Sequence, residues 1–242
     1  MQRVCALLVG VLIACLPWMP GHGAAQSADV VTRSAMAPYY AALLASARAD
    51  ADGTVRHLIV FESRWSELTR RSKADLPAWL RDTTGGRSVA AAVAAKIAAA
   101  RQHLPRNVGA AHAELETVRV LLRDARARHG VRTEDDALTD YHDAIERLAS
   151  HTGAASEIAL TASDFSIIRD DVARARSAWR EVESPRGLAA ESGWANVAAG
   201  TNAALRAAAT AADRQDAQAA QQASGTLKDR YFDLLAILSR RR

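Results

Sequence analysis

Twice within thirty-eight residues of this sequence a histidine stands four positions before a glutamate: His112 with Glu116, and His142 with Glu146. On a helix that spacing places both side chains on one stripe. Two imidazoles and two carboxylates make a donor set suited to iron, copper, zinc or manganese. The same pairs on wet helix faces would be surface ion pairs and nothing more. Arg119 follows on the same flank as His112 and Glu116. It would either neutralise Glu116 or bind an anion, and both uses compete with a metal.

The elements that carry these residues read as a helical hairpin. Ala111, Leu115, Val118, Leu122 and Ala125 recur at helical spacing, and so do Leu138, Tyr141, Ile145 and Leu148. His112 and Glu116 flank the first stripe, and His142 and Glu146 take the same-handed flank of the second. In an antiparallel pair those flanks meet at the seam. The turn centres on Val131, from which Glu116 and Glu146 are equidistant in sequence. The histidines then stand roughly 6 Å to either side of the carboxylate level.

The rest of the chain reads as all-α, an antiparallel bundle or a pair of bundles. Apolar residues recur at helical spacing almost throughout, and runs of alternating β-branched residues are missing. Pro38 opens a helix to about Arg48, and a second runs from about Thr54 to Arg71. The segment KADLPAWLRDTTGGR reads as loop. Helices follow from about Ser88 to His103 and from about Asn107 to Arg128, the latter closed by Gly130. Thr133 caps a helix to about Ser150, with Asp136 as the capping-box acid. Helical pattern resumes near Ala154, breaks at Ser163-Asp164 and continues to Glu183. After a loop at Pro185 and Gly187, an alanine-rich helix with a break at Gly200 precedes a last helix from about Asp216 to Arg240.

Three segments result: a signal peptide over 1–25, a first helical half over 26–150 that holds both His/Glu pairs, and a second helical half over 151–242. The second reads as a degenerate repeat of the first. Ser63, Trp65 and Glu67 reappear as Ser177, Trp179 and Glu181, while Ser224 and Lys228 stand where the first half has His112 and Glu116. Both tryptophans read as core residues.

The opening segment has Arg3, an apolar run from Val4 to Leu16, and the small residues Gly23, Ala24 and Ala25. That is the pattern of a secretory signal cleaved after Ala25, and it points to the periplasm. Leu12-Ile13-Ala14-Cys15 also resembles a lipobox, which would anchor the chain at Cys15. The only cysteines, Cys5 and Cys15, lie in this segment. The remaining chain of about 217 residues, long enough for one large domain or two small ones, excludes disulfides, cysteine nucleophiles, Cys-type zinc sites and CxxCH haem attachment. The net charge of +4 is spread along the chain, which gives no nucleic-acid footprint. The residues His57, His103, His129 and His151 read as solvated. No nucleophile elbow, phosphate loop or HExxH motif is present, so the expectation is a protein that is not an enzyme.

His112-x-x-Leu115-Glu116-x-x-Arg119, then Gly130-Val131, then Tyr141-His142-x-x-x-Glu146 resembles exported helical proteins of Gram-negative bacteria, the cytochrome-like and iron-permease-associated periplasmic domains. Pro38-Tyr39-x-x-Ala42-Leu43-Leu44 and Phe61-x-x-x-Trp65 fit the same pattern, so the resemblance covers about residues 36–150. It implies a periplasmic bundle that binds a metal or a haem-related ligand beside an inner-membrane metal transporter or redox protein. This chain departs from the c-type relatives in lacking CxxCH, which leaves covalent haem out. The leading expectation is a transition metal held by His112, Glu116, His142 and Glu146, in the service of metal uptake or electron transfer. The alternative is a metal-free interaction or scaffold module.

Overall fold

The computed structural model describes residues 22–70, 76–153, 160–184 and 188–241. The apolar run of the expected signal peptide, with Cys5 and Cys15, lies outside the described residues, and so do Pro185 and Gly187. The described residues contain nine α-helices: α1 His22–Ala47, α2 Ala51–Thr69, α3 Ala78–Arg81, α4 Val89–His103, α5 Val108–Arg128, α6 Glu134–Gly153, α7 Ala162–Val182, α8 Trp194–Arg214 and α9 Ala217–Leu238. None of these is long and apolar enough to cross a membrane.

Short polar side chains start the helices. Asp50, Ser88, Asn107, Thr161 and Asp216 each accept a hydrogen bond from the backbone N–H three residues on, at 2.8–3.3 Å. At Thr161 the bond is reciprocated by Asp164, which closes a capping box. The expected break at Ser163-Asp164 is therefore the first turn of α7. Asp136 behaves as expected in part: its carboxylate accepts from the Thr133 backbone at 2.8 Å and hydroxyl at 2.9 Å.

Four other expectations are corrected. Pro38 lies inside α1 and does not open it, because the helix loses only one donor at proline and the residues on both sides are helix formers. The point expected for signal cleavage, after Ala25, falls within the first turns of this helix. Helix α2 begins at Ala51, since Asp50 supplies a cap upstream of Gly53. The expected loop contains α3 and a two-residue antiparallel pairing, Thr83 with Ser88 and Thr84 with Arg87. Gly85 and Gly86 turn it with φ of 56° and 77°, a conformation that favours glycine at both positions. Finally, α8 runs unbroken through Gly200, where a Cβ would come within 2.6 Å of Arg230 Nε from α9.

Packing follows a closed pattern twice. Helix α1 packs on α2, α2 on α4, α4 on α5, and α5 back on α1. Helix α6 packs on α7, α7 on α8, α8 on α9, and α9 back on α6. These two four-helix rings meet along two lines, α5 against α6 and α1 against α9. One apolar cluster runs through both rings. Trp65 is buried in the first, where Nε1 donates to the Ala90 carbonyl at 3.1 Å. Trp179 is buried in the second and stacks on Trp194 with ring centres 5.6 Å apart. Helix α6 carries His142 and Glu146 and stands in the second ring, so these residues face α5 across the line where the rings join.

Candidate functional site: a charged seam between two helical rings

Along α5 the arginines 119, 123 and 126 share a flank, and along α6 the aspartates 136, 140 and 143 share the facing one. Arg119 and Asp143, and likewise Arg126 and Asp136, are equidistant from Val131, while Asp140 is one residue farther from it than Arg123. Arg126 reaches Asp136 through Nη2 at 2.6 Å and Nε at 2.9 Å, and each of the two is 2 % exposed. The Arg126 guanidinium also lies 5.2 Å from the ring centre of Trp79, a cation–π contact. One step along, Arg123 Nη1 donates to Asp140 at 3.0 Å and to Asp143 at 2.7 Å. Next, Arg119 Nη2 meets Asp143 at 3.3 Å.

The four expected metal ligands come next on this ladder, and the structure does bring them together. His112 Nε2 is 3.5 Å from Glu116 Oε1, His142 Nδ1 is 3.8 Å from Glu116 Oε2, and His142 Nε2 is 3.6 Å from Glu146 Oε1. Between them stands the Arg119 guanidinium. Its Nη2 touches both Glu116 Oε2 and His142 Nδ1. Glu146 turns instead to Lys228 of α9, at 2.9 Å. Tyr231 of α9 covers His142, with ring centres 4.5 Å apart.

Hydrogen-bond chemistry then assigns the imidazole tautomers. A guanidinium only donates, so His142 Nδ1 is the acceptor and its proton sits on Nε2, toward Glu146. Ser46 donates its hydroxyl to the Leu43 carbonyl at 2.9 Å, so at 2.8 Å it accepts from His112 Nδ1. Of the two imidazoles, only His112 Nε2 keeps a lone pair for a ligand. Burial pushes the His142 pKa down to about 2, helped by the charge of Arg119, by His112 and by Lys228. Burial and then Arg119 also lower His112. Burial raises Glu116, against the pull of Arg119.

This donor set does not fit a metal ion as it stands. One imidazole nitrogen is bound to an arginine, Glu146 is paired with a lysine, and a cation already stands at the centre. Among the described residues no group of three or more His, Cys, Asp or Glu side chains is arranged to hold a metal ion. The four expected ligands thus converge without forming a site for a metal ion among the described residues.

The sequence reading missed Ser46, Asp143, Lys228 and Tyr231 as members of the cluster. Asp143 is within reach of the hairpin arithmetic, because the mirror about Val131 that aligns two glutamates also aligns Arg119 with Asp143 and Arg126 with Asp136. Lys228 and Tyr231 come from a helix remote in sequence, and no local signal points to them. His151, expected to be solvated, pairs through Nδ1 with the buried Asp171 at 2.7 Å.

Fold and seam define an all-α protein of two four-helix rings joined along a polar hairpin. Comparison of the chain with protein-family models, with curated proteins and with solved structures finds no match to any of them.

Proposed function

We propose that the protein is a non-catalytic binding or scaffold module of the periplasm, in which the charged hairpin joins two helical rings and carries no ion. The position of the Arg119 guanidinium supports this reading. It touches Glu116 and His142 from the place an ion would need. A guanidinium stays protonated at any accessible pH, so the compensation it gives the carboxylates is permanent. An ion entering here would displace a buried cation and leave it unpaired, at a cost of several kcal/mol. The periplasmic assignment rests on the apolar run from Val4 to Leu16 and on Gly23-Ala24-Ala25.

The convergence of His112, Glu116, His142 and Glu146 favours a second reading. There Arg119 swings away and the four residues bind iron, copper, zinc or manganese for metal uptake or electron transfer, with an inner-membrane transporter or redox protein as partner. Titration calorimetry separates the two. On the first reading, wild-type protein gives no ion-specific heat with Fe(II), Cu(II), Zn(II) or Mn(II). Arg119→Gln leaves Glu116 without its cation and gains weak binding, which disappears when His112→Ala and His142→Ala are added. Tight binding of one ion by the wild type, lost in the double-histidine variant, would establish the metal reading and overturn the first.

A further inference from the structure

Away from the seam, an open cleft of about 770 Å³ lies between α1, α2 and the end of α9. Its floor is apolar: Ala37, Pro38, Ala41, Leu44 and Ala45 from α1, and Val60 from α2. The α1 positions form one helical stripe about 12 Å long. Val60 is 47 % exposed and its neighbour Ile59 is 50 % exposed, two of the three large apolar side chains so exposed among the described residues. Of these, Val60 lines the cleft, so water reaches an apolar side chain at its wall.

The rim is cationic. Arg48, Arg64, Arg240 and Arg241 line the cleft, with Asp50 as the one carboxylate among the lining residues. Asp50 is engaged at the start of α2, where it accepts from Gly53 N at 2.8 Å. Arg241 is held by Glu134 at 3.2 Å and by Glu191 at 3.0 Å. Arg64 has only a loose contact with Glu67, at 4.0 Å. Arg48 and Arg240 have no carboxylate partner among the described residues. Three guanidinium groups with little or no compensation thus border an apolar floor.

In the second ring, a side chain bridges α6 and α7. Arg132 spans Asp140 on α6 at 2.7 Å and Glu181 on α7 at 2.5 Å. Among the described residues no ion pair spans α1 and α2 in this way.

We propose that this cleft binds a small amphipathic anion, its apolar body on Ala37, Ala41, Leu44 and Val60 and its anionic head between Arg48, Arg64 and Arg240. The volume falls in the range of small-ligand sites, and the lining has their usual form, an apolar floor with a few convergent polar groups. Guanidinium suits a carboxylate or phosphate head, which it can bind through two parallel hydrogen bonds. The inference is independent of the seam and of whether the seam holds a metal.

Titration calorimetry on the full chain tests it with three probes: octanoate, which has both parts, octanol, which lacks the charge, and inorganic phosphate, which lacks the body. Octanoate is expected to bind at least about tenfold more tightly than either of the others. Arg48→Ala with Arg240→Ala should bring octanoate down to the level of octanol, and Val60→Asp should weaken both. All three positions are exposed, so circular dichroism should be unchanged in the variants. Phosphate binding as tightly as octanoate would replace the amphipathic ligand with a plain anion and overturn the proposal. So would equal affinity for octanoate and octanol, full affinity in the double-arginine variant, or no octanoate binding at all.

Discussion

The two lines along which the rings meet are geometrical counterparts with opposite chemistry. Each joins the last helix of one ring to the first helix of the other, α5 to α6 and α9 to α1. The α5–α6 line is a ladder of Arg126–Asp136, Arg123–Asp140 and Arg119–Asp143 that ends in the His/Glu cluster. On the α1–α9 line, Met36, Tyr39, Tyr40 and Leu43 of α1 join Tyr231, Leu234, Leu235 and Leu238 of α9 in one buried apolar cluster. Apolar burial is non-directional and supplies area without choosing among registers. A ladder of paired charges favours the register that pairs every rung, and a slip at the Arg126–Asp136 rung leaves a buried charge alone. On this comparison, the α1–α9 line holds the rings together and the α5–α6 line fixes how they align.

The most severe way to break the comparison is to empty one rung. Arg126→Met leaves the carboxylate of Asp136 buried without its cation, and the expected loss is about 3–5 kcal/mol in urea unfolding. Adding Asp136→Leu should recover most of it, because no charge is then stranded. A residue of about 1 kcal/mol remains for the lost acceptor at Thr133. Leu234→Ala on the other line should cost about 2–5 kcal/mol, with no second substitution able to restore it in this way. If Arg126→Met costs under about 1 kcal/mol, the rung is wet and the register argument fails.

The contrast also explains what could be read from the sequence. Helix identity, the hairpin at Val131 and the burial of Trp65 and Trp179 follow from periodicity, from caps and from glycine at position 130, all of them local signals. The meeting of His112, Glu116, His142 and Glu146 followed from the same hairpin arithmetic. The cation among them does not, although periodicity puts Arg119 on the right flank. Donor types and spacing do not reveal which group fills the centre of a cluster. That depends on side-chain reach across the seam, and on Lys228 and Tyr231 arriving from α9. Helix starts were missed where a cap lay just upstream of a weak former, as at Asp50 and Gly53. Pro38 reads as a boundary because one lost donor looks the same in sequence whether or not the helix continues past it.

Acid should act on the charged line before the apolar one. The folded state holds His142 far below its ordinary pKa of 6.5, and His112 below it too. As pH falls through 6.5 the unfolded chain takes up protons on these rings that the folded chain refuses, so folding stability drops. The slope is at most about 1.4 kcal/mol per pH unit for each histidine. Glu116 is shifted upward, so near its ordinary 4.5 it takes up a proton more readily when folded and opposes the loss. Because that uptake begins above 4.5, the histidine effect is cleanest in the window just below pH 6.5, and Glu116 offsets part of it as pH falls toward 4.5. His142→Gln should flatten the decline of urea midpoints across that window. Tyr231→Phe should leave it in place, since it removes no titrating group in this range. An unchanged slope in His142→Gln would mean that the ring is protonated in the fold and that Arg119 does not donate to it.

The smallest effect expected comes from an arginine of the same hairpin. Arg132 bridges Asp140 at 2.7 Å and Glu181 at 2.5 Å, distances as short as any rung of the ladder. By geometry alone it should matter as much as Arg126. Its side chain, however, is 47 % exposed and that of Glu181 is 52 % exposed, against 2 % for both members of the buried rung. Water and salt screen an exposed pair, and holding two long side chains in place costs entropy. Arg132→Ala should therefore cost no more than about 1 kcal/mol at low ionic strength and close to nothing in about 1 M sodium chloride, where the screening length falls to roughly 3 Å. The Arg126→Met loss should persist in the same salt, because a buried pair is screened far less. The two variants measured side by side at both salt concentrations test whether burial, and not the length of the contact, gives the seam its strength. Equal salt sensitivity in the two would mean that the seam is open to solvent and that its charges do not fix the register of the rings.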